Sequence, residues 1–569
     1  METSTSQEEF TSEERAILSR YFTNIDGPVF ALVNLPEVVK GALFARYSRS
    51  EKSLKRLFLD EFINDRGSGE RALREYLEGG DSGRGAGYNQ VGDARARDLY
   101  DRIFTEYGDD SVAQLGGAHL GCENVSNIAT KILERGRLMA YLEQSTRYIR
   151  YDTRHRGKFR YKCPPELDLP EMKDARGIFE EVCKGLFELY AELYTKLYEH
   201  FEHKYPKRAD EPEGAYRSAV RAKVCDSLRG LLPAATLANV GVFGSGQAYE
   251  RLLLRLLSSP VSEARILGKE ILHELEKVIP SFVKRVEMEG RGVDWRRYLS
   301  ETRDRVAGAA ALLISSHGLN GSKQEQDTVD RTLLLSSQRP TVNLVDFDPE
   351  GERKIAAAIL FDHTPVSMHE AFRIAQGLGA DALALLIAEY VGSRRNRRHL
   401  PGRAFESTYY TFEVVSDYGA FRDLQRHRIL TIEWQPLSSN LGFSMPDVIA
   451  EIGEENRWKS AMESAADAYS FIESASRVAA SYVLPMAFRL RYRMQLNARE
   501  AIHLIELRTS SQAHPEYRAV CSDMAELIGR RAGHWNVYRA MQFKGGDFED
   551  LERREAEMRA ATRRKAVGG

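Results

Sequence analysis

The sequence predicts an α+β fold, rich in helix and present twice in tandem. Three observations predict it. A strand-to-helix segment opens each half, an Arg-x-Arg follows a helix-like stretch in each, and a Leu-Pro precedes a long apolar helix in each. A period near half the chain means a duplicated domain rather than a solenoid.

The opening pair is Phe30-Ala-Leu-Val-Asn-Leu-Pro-Glu before Val38–Phe44, and Val342-Asn-Leu-Val-Asp-Phe-Asp-Pro-Glu before Arg353–Phe361. Both put Pro-Glu at a helix start, where proline costs least and an acid suits the helix dipole. The middle pair is Arg135-Gly136-Arg137 and Arg426-His427-Arg428. In the last pair, Leu232-Pro233 and Leu484-Pro485 precede apolar helices, and each proline lies 25 residues before a Ser-Ser, at Ser258 and Ser510. A shared apolar rhythm alone could be chance; the shared punctuation argues for duplication.

These landmarks divide the chain into a first copy over 1–290, a linker with a short helix over 291–340, and a second copy over 341–569. The linker contains the polar stretch Gly318–Asp327 and an alanine-rich helix over Arg303–Ser315. Elsewhere the periodicity is mostly helical, as in Ile178–Phe201 and Trp458–Ser481. Strands are expected at Phe30–Asn34, Thr341–Phe347 and Thr408–Val415.

The 569 residues are enough for two to four domains at about 100–200 residues each. Hydrophobic residues make up 43%, charged residues 29%, and the net charge is -2, so no global cationic field favours nucleic acid. Five cysteines without a CxxC pair argue against a disulfide framework. Met1–Arg20 is polar and acidic, unlike a signal peptide. No apolar run approaches the ~18 residues that span a bilayer. A cytoplasmic protein is expected.

The stretch Arg135-Gly-Arg-Leu-Met-Ala-Tyr-Leu-Glu-Gln-Ser-Thr-Arg-Tyr148 is the most informative. Glu143, Ser145 and Arg147 alternate, so an extended loop would turn a carboxylate, a hydroxyl and a guanidinium one way. That set suits a nucleotide, because arginine grips phosphate bidentately. A solvated polar loop explains the same composition.

The stretch resembles the signature of flavin-dependent thymidylate synthases: Arg-His-Arg, seven residues, Ser, then Arg-Tyr. The spacing fits, with Gly136 in place of the histidine. Upstream, Asp110-Ser-Val-Ala-Gln114 is similar to the family's His-x-Ser-x-x-Glu element, without its histidine and with Gln114 for the glutamate. In the second half Arg426-His427-Arg428 matches the signature's front, but Pro436 stands at the serine. Phe405-Glu406 and Thr411-Phe412 resemble the Phe-Glu-His…Thr-Phe segment, with Ser407 for the histidine. Arg229-Gly-Leu-Leu-Pro233 keeps the first arginine of Ala-Arg-x-x-Leu-Pro, where the second half has Ser481. Asn497-Ala498-Arg499 and Leu507-Arg508 keep the helix motif; the first half has Ser245-Gly246-Gln247 and Leu256. Gln512–Arg518 resembles the tail that follows.

The resemblance implies two tandem copies of the flavin-dependent thymidylate synthase fold, with a small sheet in each. It implies substrate binding by Glu143, Ser145, Arg147, Tyr148 and Arg229. It implies cofactor binding by Glu406, Arg426, His427, Arg428, Asn497 and Arg499. Catalytic roles would fall to Arg508 and His427, and no metal is expected. Each half has lost roughly what the other kept, and random decay would damage both copies alike. The family resembles a homotetramer with sites between protomers, so two fused chains would rebuild a pseudo-tetramer with composite sites.

The implied activity is methylation of dUMP to dTMP with FAD, NADPH and methylenetetrahydrofolate. The partners are then a small-molecule nucleotide and a folate, with a homodimer and without membrane or nucleic acid. Ser145 has no adjacent base to make it a nucleophile, so it is read as a substrate contact. The basic run Arg394–His399 is a solvated face or an anion site near flavin or folate. Gly241–Gly246 lacks the Gly-Lys-Ser/Thr ending of a phosphate loop. Two other functions compete: flavin-dependent modification of another uridine-type nucleotide, and a non-catalytic nucleotide- or flavin-binding scaffold.

Overall fold

The computed structural model describes residues 9–35, 37–47, 50, 52–63, 114–154, 157–316, 339–546, 551 and 553–567. The chain divides into two compact units. One comprises Met1–Cys122, Leu138–Leu142 and Val240–Ala310; the other comprises Glu123–Arg137, Glu143–Asn239 and Ala311–Gly569. Helices dominate. Seven strands form two sheets among the described residues: β1 (Gly117–Ser126), β2 (Met139–Glu143), β3 (Leu237–Ser245), β4 (Thr341–Phe347), β5 (Tyr409–Asp417), β6 (Thr431–Trp434) and β7 (Arg489–Asn497). One sheet has the order β1-β3-β2, the other β4-β5-β7-β6.

The same local device recurs in both halves: a strand ends on a polar residue that caps a helix. Ser126 ends β1 and accepts the Ala129 N–H at 3.1 Å, starting the helix Asn127–Leu133. Asp417 ends β5 and accepts the Ala420 N–H at 2.5 Å, starting Tyr418–Leu424. Ser245 and Asn497 do the same after β3 and β7, accepting from Ala248 at 3.4 Å and Glu500 at 2.8 Å. A side-chain oxygen at this position satisfies an N–H that the first helical turn leaves unpaired.

In the first unit, the helix Gly246–Leu257 buries Leu252, Leu253 and Leu256. The helix Ser262–Val278 lies close to it, and a Cβ on Gly268 would stand 3.0 Å from that of Leu256.

In the second unit, β5 runs antiparallel between β4 and β7, with Phe412 opposite both Leu344 and Met494. Its residues are buried almost without alternation, as expected where both faces of a sheet are covered. The helix Pro515–Arg530 buries Val520, Cys521, Met524 and Ile528. The helix Lys173–Lys204 belongs to the same unit. It buries a stripe from Phe179 and Cys183 through Tyr190 and Leu197 to Phe201.

The two Leu-Pro turns meet. Ala234 N–H donates to Leu484 O and Met486 N–H to Leu232 O, both at 2.8 Å; Ala235 donates to Tyr482 O at 2.9 Å and Ala487 to Gly230 O at 3.0 Å. Each bond has its counterpart with the copies exchanged, and Pro233 bridges Pro485. Equivalent positions paired reciprocally are the mark of a local two-fold relation between the repeats.

The structure corrects several sequence expectations. Phe30–Asn34 is not a strand; Leu32 makes one bridge to Phe22. The helix expected over Trp458–Ser481 ends at Glu473, and a short helix, Arg477–Ala480, follows. The alanine-rich linker helix is longer, Gly292–Ser316. Gly241–Gly246 is the end of β3 and the start of a helix. Gly318–Asp327 and Asp110–Ala113 lie outside the described residues.

Trp458 is fully buried against the junction, within 3.0 Å of where a Cβ on Gly230 would lie, and its Nε1–H donates to Ser444 O at 3.3 Å. Trp458→Ala should therefore cost about 3–5 kcal/mol in a urea titration. A loss below about 1 kcal/mol would show that the junction lies outside the cooperative core.

Candidate functional site

The site lies within the second unit and is a network of buried charges. Arg422 lies in the helix Tyr418–Leu424 and Arg426 in the turn just past its end. Between them sits Glu143, whose side chain is fully enclosed. Arg422 Nη2 donates to its Oε1 at 2.6 Å and Arg426 Nη2 to its Oε2 at 2.6 Å; Lys131 Nζ approaches Oε2 at 3.3 Å. Burial alone would raise the Glu143 pKa, but Arg422, Lys131 and Arg426 outweigh it and hold the carboxyl well below the usual range. Lys131 also donates to Glu134 at 2.6 Å.

Asp423 is the second node. Arg229 Nη1 donates to its Oδ2 at 2.9 Å, and Arg426 Nη1 lies 3.6 Å from its Oδ1. Burial opposes its ionisation, yet Arg426, Arg229 and Arg508 keep it ionised far below the ordinary carboxylate range. Arg229 is almost wholly enclosed, and its Nη2 is 3.8 Å from Asp417. Its Nε and Nη2 are buried without a hydrogen-bond acceptor, packed where a Cβ on Gly419 would stand about 3 Å away.

Arg508, the last residue of the helix Ala498–Arg508, donates from Nη2 to the Asp423 carbonyl at 2.6 Å and from Nε to His427 Nε2 at 3.0 Å. An arginine N–H can only donate, so His427 Nε2 is the acceptor and its ring proton is on Nδ1. That Nδ1–H faces Glu500 Oε1 at 2.9 Å. Burial, then Arg508 and His503, hold the His427 pKa well below 6.5, so the ring is neutral. Burial raises Glu500 to about 7 against the opposing pull of Arg499.

His427, Glu500 and His503 offer ligand atoms within 4.8 Å of one another, the only such grouping of metal-binding side chains among the described residues. Both His427 nitrogens are already committed, which disfavours an ion there.

Arg147 is bound to protein partners on most of its N–H groups. Its Nε and Nη2 grip Asp226 bidentately, both at 2.5 Å. Nη1 donates to the Tyr517 hydroxyl at 2.6 Å, and Nη2 also donates to Gln512 O at 3.0 Å. The Tyr517 ring faces both Arg147, at 5.6 Å, and Arg508, at 5.5 Å. Glu143, Ser145 and Arg147 do not line one side of an extended loop. The chain turns at Ser145, whose carbonyl accepts the Tyr148 N–H at 3.2 Å, and Glu143 and Arg147 reach different partners. Ser145 Oγ accepts the Arg147 N–H at 3.3 Å, and Tyr148 is half exposed under Arg553.

Of the remaining expected residues, Asn497 uses its side chain as a helix cap. Arg499 donates to Pro401 O at 2.8 Å and lies 3.6 Å from Glu406, which also pairs with Arg403 at 2.9 Å. Arg428 is exposed. It lines a cavity of about 80 Å³ with Arg135, Arg137, Gln425, His427 and Thr431, so both Arg-x-Arg segments border one small space. Arg135 pairs with Glu433, while Arg137 donates to Thr431 Oγ1 at 2.9 Å. In the basic run, Arg394 is locked to Glu506 at 2.5 Å and Asn396 meets His399 at 3.2 Å, which makes this end of the run structural.

The structure thus brings Glu143, Arg147 and Arg229 of the first copy together with Arg426, His427 and Arg508 of the second. It adds Lys131, Asp226, Arg422, Asp423 and Glu500, which motif matching passed over, and Tyr517 of the matched Gln512–Arg518 tail. Asp226-x-x-Arg229 and Arg422-x-x-x-Arg426 each pair a residue near the end of a helix with one just past it, a charged spacing visible in the sequence.

Repeated strand–cap–helix units, with charged side chains of both copies joined at Glu143 and Asp423, define a duplicated α+β fold. The chain belongs to the thymidylate synthase complementing protein family, whose model matches it twice, at residues 70–281 and 343–532. It is therefore an α+β protein made of two tandem, diverged copies of that fold. A Chlamydia muridarum relative described as "UPF0159 protein" is 39% identical over 521 residues, covering 91% of this chain and 93% of the relative. A Clostridium tetani protein described as "Flavin-dependent thymidylate synthase" is 27% identical over 206 residues, covering 35% of this chain and 76% of that protein. A solved structure described as a UMP/dUMP methylase PolB from Streptomyces cacaoi bound with 5-Br UMP is 18% identical. It covers 36% of this chain and 96% of that one with a TM-score of 0.28; the fold assignment rests on the family match.

Glu143→Gln leaves two guanidinium groups and an ammonium around a neutral amide. It should destabilise the fold by about 3–5 kcal/mol by denaturant titration. A change under about 1 kcal/mol would mean that solvent reaches the network.

Proposed function

We propose that the chain is a flavin-dependent enzyme that methylates a uridine-type nucleotide, dUMP to dTMP in the leading reading. It would draw on methylenetetrahydrofolate and NADPH at a composite site built from unlike copies. The observation that carries the reading is the joining of Glu143 and Arg229 of the first copy to Arg426 and Arg508 of the second through Asp423 and shared hydrogen bonds. The 1–290 and 341–569 copies, joined by 291–340, are the proposed evolutionary units.

The donor set fits an anionic flavin. Arg428 is exposed beside a neutral imidazole, and Arg426 is partly exposed. Arg426, His427, Arg428 and Arg499, with Glu406 and Asn497 behind them, would hold FAD. When bound, a flavin supplies the reducing equivalents and the one-carbon relay that side chains cannot. The protein's part is to orient and polarise. Arg508 carries no carboxylate on its guanidinium and would stabilise negative charge developing on the pyrimidine. Arg229, whose buried Nε and Nη2 lack acceptors, would have to be uncovered to hold the nucleotide. Neutral His427 faces the cofactor side and fixes Arg508.

Modification of another uridine-type nucleotide is the second reading, and in either reading Arg147 limits how the phosphate is held. Four of the five N–H groups that an arginine offers are already used on Arg147, so a 5′-phosphate must displace Asp226 to be gripped there. Ser145, Tyr148 and Arg147 would then shape the ribose side rather than seat the phosphate.

Purified protein should be yellow and should turn over dUMP with methylenetetrahydrofolate and NADPH, read by tritium release from the labelled pyrimidine. Arg508→Ala should lower turnover by about 10²–10³-fold while flavin content stays within twofold of wild type. A flavin-loaded wild type that processes neither dUMP nor UMP would defeat the reading.

A further inference from the structure

We propose that Glu500 is a positioning residue that fixes the Arg508 guanidinium by holding His427 in one tautomer. The inference rests on the proposed function only in taking Arg508 as the group that faces the pyrimidine.

The geometry is a chain of three side chains. Glu500 Oε1 lies 2.9 Å from His427 Nδ1, and His427 Nε2 lies 3.0 Å from Arg508 Nε. His427 and Glu500 are both buried. Water therefore cannot readily replace either partner, and a buried imidazole left without one is costly. Only the Nδ1–H tautomer satisfies both neighbours. The Nε2–H tautomer would point one N–H at another, His427 against Arg508, and leave Glu500 facing a lone pair. The Glu500 acceptor at Nδ1 and the Arg508 donor at Nε2 thus hold one tautomer together, and without the acceptor the buried Nδ1–H is left unpaired and the ring free to turn from Arg508.

Arg508 is then held at two points, by the His427 lone pair and by the Asp423 carbonyl at 2.6 Å. Two bonds on different nitrogens fix the plane of the guanidinium. The first is the only one supplied by a ring that could turn away, so its dependence on Glu500 is the weak point of the arrangement.

Glu500 is itself fixed at its backbone. Its N–H is taken by Asn497 Oδ1 at 2.8 Å, which sets it in the first turn of the helix that ends at Arg508. One helix therefore carries both ends of the relay, and His427 arrives between them from the Arg-His-Arg segment. The charged and titratable groups around it are Arg499, His503 and Glu506 on the same helix, Arg508 at its end, and Asp423 and Arg397 from neighbouring segments. None of them offers His427 Nδ1 a second acceptor within hydrogen-bond range.

The test reads the tautomer directly, by ¹⁵N NMR of full-length protein labelled at histidine, with the His427 signals assigned by their loss in His427→Gln. Wild type should show His427 as the neutral Nδ1–H form. Glu500→Gln, whose amide oxygen can still accept, should keep that form. Glu500→Ala should convert it to Nε2–H or to a mixture, and Glu500→Asp, one methylene shorter, should do the same if Ala does not fold. In turnover with dUMP, Ala should lower kcat about tenfold or more with KM nearly unchanged, and Gln should restore most of it. An Nε2–H form in wild type, or an unchanged Nδ1–H form in the Ala and Asp variants, would overturn the proposal. The predicted tautomer pattern in a protein that turns over no uridine nucleotide would leave the positioning role standing and reject the functional reading instead.

Discussion

The structure around the site depends on one enclosed carboxylate. Glu143 comes from the first copy, and the two guanidinium groups that close on it, Arg422 and Arg426, come from the second. A charge this deeply buried is tolerable only with its partners in place, because loss of one partner leaves the others uncompensated. The three side chains therefore hold the Arg-His-Arg segment at a fixed height above the first copy's signature. His427, Arg508 and Arg229 take their places relative to that anchor through Asp423.

The two-fold relation makes the asymmetry informative. Where the first copy has Glu143, the corresponding strand of the second, β6, ends at Trp434, which packs against Phe421 at 5.2 Å and lies under Arg135 at 5.2 Å. Where the first copy has Arg229, the second has Ser481, whose hydroxyl donates to Leu437 O at 2.8 Å. Charge chemistry on one side of the axis is matched by packing on the other. Each copy has kept the backbone device, strand, cap and helix, because the junction needs it from both. The charged side chains differ between the copies, because a buried network such as that at Glu143 needs each partner only once.

Much of this was legible in the sequence. The Leu-Pro and Ser-Ser punctuation pointed to the duplication because proline and capping residues mark element boundaries locally. The residues of the split signature pointed to the site because their spacing survived. The rest was hidden for physical reasons. β7 alternates Arg489, Arg491 and Arg493 with Leu490, Tyr492 and Met494, a period-two pattern masked by its charges; Arg489 is nevertheless buried. Phe30–Asn34 has strand-like composition, but among the described residues it meets only one bridge partner. The fate of Arg147 could not be read from its motif, because its partner Asp226 lies in a helix 79 residues away. Ion pairs between distant segments leave no local pattern; only i, i+3 and i, i+4 spacings do.

The central claim is that one chain, folded on itself, supplies both sets of residues to one site. Mixing subunits tests it most directly. Arg229→Ala and Arg508→Ala chains, each inactive on dUMP, would be co-unfolded, refolded together to form mixed oligomers, and assayed for turnover. Because the two arginines meet within a single chain, the mixture should be as inactive as either variant alone. Recovery of about a quarter of the activity of similarly treated wild type, the share expected when each partner lends its intact half across a subunit boundary, would contradict the account.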